Sequence, residues 1–159
     1  CYDTSIDEEL KMLPFNTKLN RYHFLKFNLP VSWNRIEESQ LQFDASLGFA
    51  ERFGFRNSYG LPFKPYNIST QSAYNFIEVP LNVMDGTLHR YMKVPRHLTA
   101  KNIIDFIEKN KKNCVISILW HNTYFTAYKY SGYLLEYKKV LLYLRESGIK
   151  SITPEEILT

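Results

Sequence analysis

A run of apolar residues in the second half of the chain constrains its fold more than any other feature. Residues 114–120, CVISILW, are almost continuously apolar, which is typical of a strand buried inside a sheet. His121 and Asn122 follow where that strand should end. Two interpretations fit His121: a polar residue whose hydrogen bonds are satisfied at a strand end, or a residue that the strand presents to a functional site.

Strand patterns alternate with helix patterns along the chain. This order predicts an α/β fold with a mostly parallel sheet, built as a single domain over residues 1–159. Ligands of such folds bind at the carboxyl ends of the strands. The predicted strands are 21–27, 41–49, 75–83 and 114–120, and the predicted helices are 5–13, 32–40, 99–112, 132–148 and 151–158.

Three local signals refine this pattern. Ser5 followed by Glu8 forms a capping box that should open the first helix. Residues 50–74 contain no clear strand or helix pattern, and a loop of that length is usually functional. Pro80 indicates that strand 75–83 is an edge strand or contains a bulge.

The charge of the chain excludes some partners. The formal net charge is +4, and the basic runs 109–112 and 138–139 lie on predicted helices beside acidic residues. Such runs are typical of solvated helix faces, so we expect no nucleic-acid partner. No apolar run approaches the length of a membrane span, so we expect no membrane partner. The 16% aromatic content fits either a core or stacking on sugar rings.

The sequence contains no self-contained metal site. None of the four histidines has the helical spacing of a zinc ligand pair, and the two cysteines do not form a C-x-x-C motif. No phosphate-binding glycine motif or nucleophile motif is present. We therefore expect no metal and no cofactor in this chain.

Several polar residues lie near predicted strand ends, and each also has a structural interpretation. With a carboxylate partner, His121 could act as a general acid, since the carboxylate would orient the ring and favour imidazolium. Asp85 with Gly86 resembles an ordinary turn, and Arg56 could simply hold its loop in place. The candidates are Arg21, His23, Asp44, Arg56, Asp85 and His121.

Four segments together resemble the later half of a polysaccharide deacetylase domain, the NodB-homology family. They are RYHFLKF, QFDASLGFAERFGFRNSYGLPFKPYN, NFIEVPLNVMDGTL and VISILWHNTY. The similarity is to a bacterial branch with a D-[AS]-[ST]-L-G-[FY]-A element, then G-F-R, P-F and a late L-W-H. It spans roughly residues 1–158. It implies an irregular, partly open (β/α) barrel that hydrolyses N-acetyl groups of amino sugars with a divalent metal, commonly zinc.

The resemblance also implies roles for individual residues. His121 would be the general acid that protonates the leaving amine, and Leu119 would line the pocket for the acetyl methyl group. Asp44 would orient the histidine, although the tryptophan that often follows this aspartate is absent. Arg21 would brace the catalytic base, and Arg56 is a second candidate for that role or for substrate contact.

Two motifs of the family are missing from the chain. They are the T-F-D-D motif, which supplies the base and a metal ligand, and the H-x-x-x-H pair, which supplies the other ligands. Both precede the matched region in the family. The chain is therefore expected to be a carboxyl-terminal portion that binds no catalytic metal and is an inefficient deacetylase by itself.

The alternative function is a non-catalytic carbohydrate-binding domain. In either case an N-acetylated carbohydrate is the expected partner. Without the early strands of the barrel, an exposed sheet edge should lead to a homodimer or to a rearranged sheet. The binding groove of the alternative would be aromatic, formed by Tyr59, Phe63, Tyr66 and Trp120.

Overall fold

The computed structural model describes residues 6–159, which form six α-helices and seven short strands. The helices are α1 (Ile6–Lys11), α2 (Val31–Glu38), α3 (Thr99–Asn110), α4 (Ala127–Tyr130), α5 (Tyr133–Glu146) and α6 (Pro154–Leu158). The strands are β1 (Leu19–Asn20), β2 (Phe43–Asp44), β3 (Tyr66–Asn67), β4 (Ser72–Ala73), β5 (Ile77–Glu78), β6 (Leu81–Met84) and β7 (Ser117–Leu119). The fold is α/β, and its small sheets are mostly parallel, as predicted.

The described residues divide into two compact units that alternate along the chain. The first unit contains the residues up to Leu47, with Pro62–Val79 and Thr153–Thr159. The second unit contains Gly48–Leu61 and Pro80–Ile152. A single domain over residues 1–159 stays a prediction.

The first unit is built on a three-stranded parallel sheet in the order β1-β2-β5. Its register places Asn20 beside Asp44 and Asp44 beside Glu78, so three polar residues end three adjacent strands. Ile36 of α2 packs with Leu41, Tyr74 and Phe76 to form the buried core. This arrangement follows from apolar residues at buried positions and polar residues at the carboxyl ends of the strands.

A short antiparallel hairpin of β3 and β4 completes the first unit. Asn67 holds its turn, since its Oδ1 accepts hydrogen bonds from the backbone N–H groups of Ser69 (2.9 Å) and Thr70 (3.3 Å). The predicted loop 50–74 therefore contains regular structure near its end. An asparagine that bonds its own backbone in this way is typical of turns.

The second unit is built on β6 and β7, which pair in parallel with an irregularity after Leu81. Helices α3 and α5 pack together, and the core combines residues of both helices with β6 and the turn that follows it. The buried members are Val83, Leu88, Ala100, Ile103, Ile107 and Val140. Ile103 and Ile107 of α3 are thus buried in this core, and Ile104 and Phe106 pack against it.

All four predicted strands are wrong in extent. The strand predicted at 41–49 shortens to β2 (Phe43–Asp44), and the buried strand predicted at 114–120 shortens to β7 (Ser117–Leu119), whose residues are only half-buried. Residues 21–27 are not a strand, because the chain turns into a 3₁₀ segment at His23–Leu25 with positive φ angles at Phe24 and Leu25. The Tyr22 N–H donates to Ser46 Oγ at 2.8 Å, which removes it from a strand ladder. Residues 75–83 form two strands rather than one, since Pro80 separates β5 from β6 and has no N–H to donate.

The predicted helices are confirmed with small shifts at their ends. The closing helix α6 begins with a capping box: Thr153 Oγ1 accepts from Glu156 N, and Glu156 Oε2 accepts from Thr153 N. The predicted capping box at Ser5 lies outside the described residues. Among residues 6–159, no helix has the length and apolar character needed to cross a membrane.

Candidate functional site

His121 lies two residues after the end of β7, and Asp85 lies directly after the neighbouring strand β6. Because the two strands are parallel, their carboxyl ends meet and bring these residues together. His121 Nδ1 lies 2.7 Å from Asp85 Oδ1, and the His121 N–H donates to Asp85 Oδ2 at 2.6 Å. The Gly86 N–H donates to Asp85 Oδ1 at 2.5 Å. The Asp85 carboxylate thus fixes both the backbone and the ring of His121.

The protonation pattern of this pair follows from its geometry. An ionised carboxylate can only accept hydrogen bonds, so His121 carries a proton on Nδ1 and presents Nε2 outward. The Asp85 side chain is fully buried, whereas 40% of the His121 side chain is exposed. A buried carboxylate behind an accessible imidazole is the arrangement that orients a general acid or base.

A cluster of aromatic rings lies beside His121 and reaches it through Tyr124. The Tyr124 ring lies 6.4 Å from the His121 ring and stacks on Tyr130 at 4.2 Å. Burial, and then the charge of Asp85, raise the pKa of Tyr124 to about 12, so this phenol stays protonated at neutral pH. His89 contacts Tyr124 and Tyr130 edge-on. The cluster gives the site a rigid apolar wall with phenolic edges.

The two residues before His121 are both half-buried. Leu119 is partly buried and pairs with Met84 across the sheet. Trp120 packs against the core of the second unit and against Tyr137, with ring centres 5.1 Å apart. Its buried Nε1 has no hydrogen-bond partner among the described residues. These contacts give Trp120 a packing role, and its predicted contact with substrate stays a prediction.

Asp44 belongs to the first unit, where it is almost fully buried at the end of β2. Its Oδ1 accepts from Asn20 Nδ2 at 2.7 Å and from Ser46 Oγ at 2.8 Å, and its Oδ2 accepts from Ser46 N at 3.2 Å. The carboxylate found on the His121 ring is Asp85. The prediction that Asp44 orients His121 and converges with it stays a prediction.

Glu78 is the second buried carboxyl group beside Asp44. Its Oε1 accepts from Leu47 N at 3.1 Å, and its Oε2 accepts from Trp33 Nε1 at 3.2 Å. Burial, reinforced by the negative charge of Asp44, raises the pKa of Glu78 to about 9. Burial also raises the pKa of Asp44, although its hydrogen bonds oppose the rise. Glu78 is therefore protonated at neutral pH and shares a hydrogen bond with Asp44.

The remaining predicted site residues have other surroundings. Arg21 is exposed directly after β1, with no hydrogen bond or ion pair to another described residue. Arg56 Nη1 donates to the Gly48 carbonyl at 3.2 Å, as expected for a side chain that holds its loop in place. Phe63 pairs through its backbone with Glu78, so it serves the sheet of the first unit. Exposed His23 stacks on Phe24, with ring centres 4.0 Å apart.

A polar cavity of about 430 Å³ lies in the first unit beside the β3–β4 hairpin. Tyr74 Oη donates to Asn34 Oδ1 at 2.6 Å on its wall, and Glu37 holds Asn75 through two hydrogen bonds. Amides and hydroxyls of this kind match the donors and acceptors of a sugar. The cavity is lined by Asn34, Glu37, Glu38, Asn67, Ser69, Thr70, Ser72, Ala73 and Tyr74.

A metal ion would need several His, Cys, Asp or Glu side chains close together. Within residues 6–159, no three side chains among His, Cys, Asp and Glu are grouped closely enough to hold a metal ion. Cys114 is a free thiol whose pKa is raised by burial, and its Sγ donates to the Asn110 carbonyl. The described residues therefore do not fit the divalent metal that the sequence resemblance implies.

Sequence reasoning undervalued two site residues. Asp85 is among the sequence candidates near strand ends, but the sequence also fits an ordinary turn at Asp85 and Gly86 and does not identify Asp85 as the partner of His121. Glu78 is a charged residue inside the apolar run NFIEVPL, and that contrast is a signal for a buried, partnered carboxyl group.

Comparisons of the chain with models of protein families, with curated proteins and with solved structures found no match.

Proposed function

We propose that this chain supplies the general acid of a carbohydrate N-deacetylase that removes acetyl groups from amino-sugar polymers. The observation that carries the proposal is the buried Asp85 carboxylate on His121 Nδ1, which leaves Nε2 accessible at the carboxyl end of β7. The order and spacing of the four sequence segments support the same family. The finer fold that goes with this proposal is an irregular (β/α) barrel of the NodB type.

The chemistry assigns one proton transfer to His121. Hydrolysis of an N-acetyl group adds water to the acetyl carbon and breaks its bond to nitrogen, which leaves acetate and a free amine. The departing nitrogen needs a proton, and the Nε2–H of an imidazolium can supply it. The charge of Asp85 stabilises that imidazolium, so Asp85 acts as a positioning residue. Leu119, in the L-W-H motif, is the proposed wall of the acetyl pocket.

The proposal leaves metal chemistry outside the described residues. Because residues 6–159 offer no group of three metal-binding side chains, we assign no step of this chain to a metal ion. The chain corresponds, in this proposal, to the carboxyl-terminal portion of a deacetylase domain. The base and the ligands would come from the motifs that precede the matched region in the family.

The test compares this chain with a version extended by its natural upstream sequence. Zinc binding is measured by calorimetry, and acetate release is measured on acetylated chito-oligosaccharide. We expect zinc binding and acetate release only in the extended version. Tight stoichiometric zinc binding by residues 1–159 alone would contradict the proposal that the metal ligands lie elsewhere.

Site variants of the extended version separate catalysis from folding. His121→Gln should lower kcat by about 100-fold or more, since proton donation by a positioned side chain contributes at least that much. Asp85→Asn should lower kcat and change its pH profile, because the ring loses its charged partner. His97→Gln alters an exposed histidine of the same unit and should retain full activity. Equal activity of His121→Gln and His97→Gln would refute the role of His121.

The second candidate function is carbohydrate binding without turnover. The polar cavity beside the hairpin favours it, because its wall presents amides and hydroxyls. Tyr66 at the same hairpin is 58% exposed and available for stacking on a sugar ring. If the extended version binds chito-oligosaccharide but releases no acetate, and Asn34→Ala weakens that binding, this second function replaces the first.

A further inference from the structure

We propose that the second unit binds a phosphate or sulfate group in a cationic pocket that is separate from the His121–Asp85 pair. The pocket has a volume of about 460 Å³ and opens between the segment after β6 and the turn before α5. This proposal of anion binding goes beyond the proposed deacetylase function and does not depend on that function. The cationic pocket is lined by His89, Lys93, Val94, Arg96, Lys129, Ser131 and Tyr133.

The charged side chains that line the cationic pocket are all positive. Lys93, Arg96 and Lys129 contribute three positive charges, and the described residues that line the pocket include no carboxylate. The one buried acid on the neighbouring helix, Glu136, is already bonded to Lys139 Nζ at 2.6 Å and to Ala100 N at 3.1 Å. Cations that share a concave surface without a counter-charge attract anions.

Arg96 is held in place rather than free in solvent. Its Nη1 donates to the Ser131 carbonyl at 2.8 Å, which leaves its other N–H groups for a ligand. Its side chain lies close to Gly132, where an added Cβ would come within 2.9 Å of Nε and 3.1 Å of Cζ. Gly132 has a φ of +88°, a conformation that favours glycine. The turn therefore supplies both the hydrogen-bond acceptor and the space that position Arg96.

The backbone positions Lys93, and the side chain of Tyr133 positions His89. Lys93 has a φ of +53°, uncommon for a residue with a side chain, and the Val94 N–H behind it donates to the Leu88 carbonyl at 2.9 Å. His89 Nδ1 lies 2.8 Å from Tyr133 Oη. Burial raises the pKa of Tyr133, so this phenol keeps its proton and can donate it to Nδ1. His89 then presents Nε2–H as a further donor.

The shape and charge of the pocket select the ligand class. A doubly charged tetrahedral oxyanion can pair with several cations at once, whereas a monocarboxylate offers one charge and two oxygens. The open form of the pocket suits a phosphate or sulfate group carried on a larger molecule. The shared chemistry is a tetrahedral oxyanion with at least three acceptor oxygens, and the carrier is distinguished by experiment.

The test measures binding to the full chain by calorimetry at constant ionic strength. The probes are inorganic phosphate, inorganic sulfate, and glucose 6-phosphate against glucose. We expect saturable binding of the charged probes and none of glucose. Arg96→Gln and Lys129→Gln should each weaken binding by about tenfold, the loss expected for one charge-assisted hydrogen bond. Lys109→Gln removes an exposed lysine of α3 outside the pocket and should leave the affinity unchanged.

A pair of glycine variants tests the positioning of Arg96. Gly132→Ala should weaken phosphate binding, because its Cβ displaces the guanidinium. Gly148→Ala is matched in backbone strain, since Gly148 has a φ of +63° but no atom near an added Cβ, and should retain affinity. A thermal melt of each variant verifies that it is folded. Binding that is not saturable, or that falls equally in Arg96→Gln and Lys109→Gln, would overturn the proposal.

Discussion

The carboxyl groups of Asp44 and Glu78 make the stability of the protein depend on pH. Both are buried, and burial raises the pKa of each, that of Glu78 from 4.5 to about 9. In the unfolded chain these groups ionise near their ordinary pKa values. Between pH 4.5 and 9 the folded state therefore holds more protons than the unfolded state, and its stability falls as the pH rises.

Replacement of Glu78 by glutamine should flatten this dependence. The neutral amide resembles the protonated carboxyl group and cannot ionise, so Glu78→Gln should lose less unfolding free energy than the native chain between pH 5 and 9. The native chain should lose about 1.4 kcal/mol of unfolding free energy for each unit by which the pKa of Glu78 is higher in the folded state than in the unfolded state. Urea titrations at several pH values measure this slope. Glu38→Gln, at an exposed position, is the control, and an equal slope in Glu78→Gln and the native chain would contradict a protonated Glu78.

For single residues, the sequence predicted the position at a strand end better than it predicted the hydrogen-bond partner. The apolar run before His121 was sufficient to place it at a strand end, and the structure has it there. Asp85 was among the candidates near strand ends, but its pairing with His121 was not predicted, because their bond spans 36 positions while the neighbouring Gly86 suggests only a local turn. Hydrogen bonds between distant residues leave no local pattern in one sequence.

At the scale of elements, the close approach of Gly48 to β6 can be tested. Gly48 pairs with Leu81, and an added Cβ would lie 2.7 Å from the Leu81 carbonyl oxygen. Backbone atoms cannot give way easily, so Gly48→Ala should destabilise the protein by about 2 kcal/mol or more. Gly86→Ala meets only ordinary contacts at 3.9 Å and beyond and should have a smaller effect. Denaturant unfolding of the two variants compares them, and equal losses would show that β6 can shift to accommodate the methyl group.

Helices were predicted more accurately than strands for a physical reason. The apolar spacing of α3 and the glycine after α5 define those helices within their own sequence. Strands depend on a partner, and the alternating residues 21–27 lack one because their backbone groups bond locally and to Ser46. An alternating pattern indicates that a strand is possible, while pairing decides whether it forms.

At the scale of the whole molecule, the order of elements was enough to predict an α/β class with mostly parallel pairing. It did not predict how the residues divide into two units, since the first unit is assembled from separated segments of the chain. No linker composition marks that division. The expected homodimer through an exposed sheet edge stays a prediction, and β1 is one of the two outer strands of the three-stranded sheet.

The hydroxyl of Thr17 offers a way to test that dimer. Thr17 Oγ1 accepts the Leu19 N–H at 3.1 Å, which occupies a donor that an outer strand would otherwise present to another chain. Thr17→Val keeps the shape of the side chain and frees this donor. If the dimer forms through β1, Thr17→Val should lower its dissociation constant in sedimentation equilibrium. Thr70→Val, at the exposed hairpin turn, is the control. A dissociation constant unchanged by Thr17→Val would place any dimer contact on another surface.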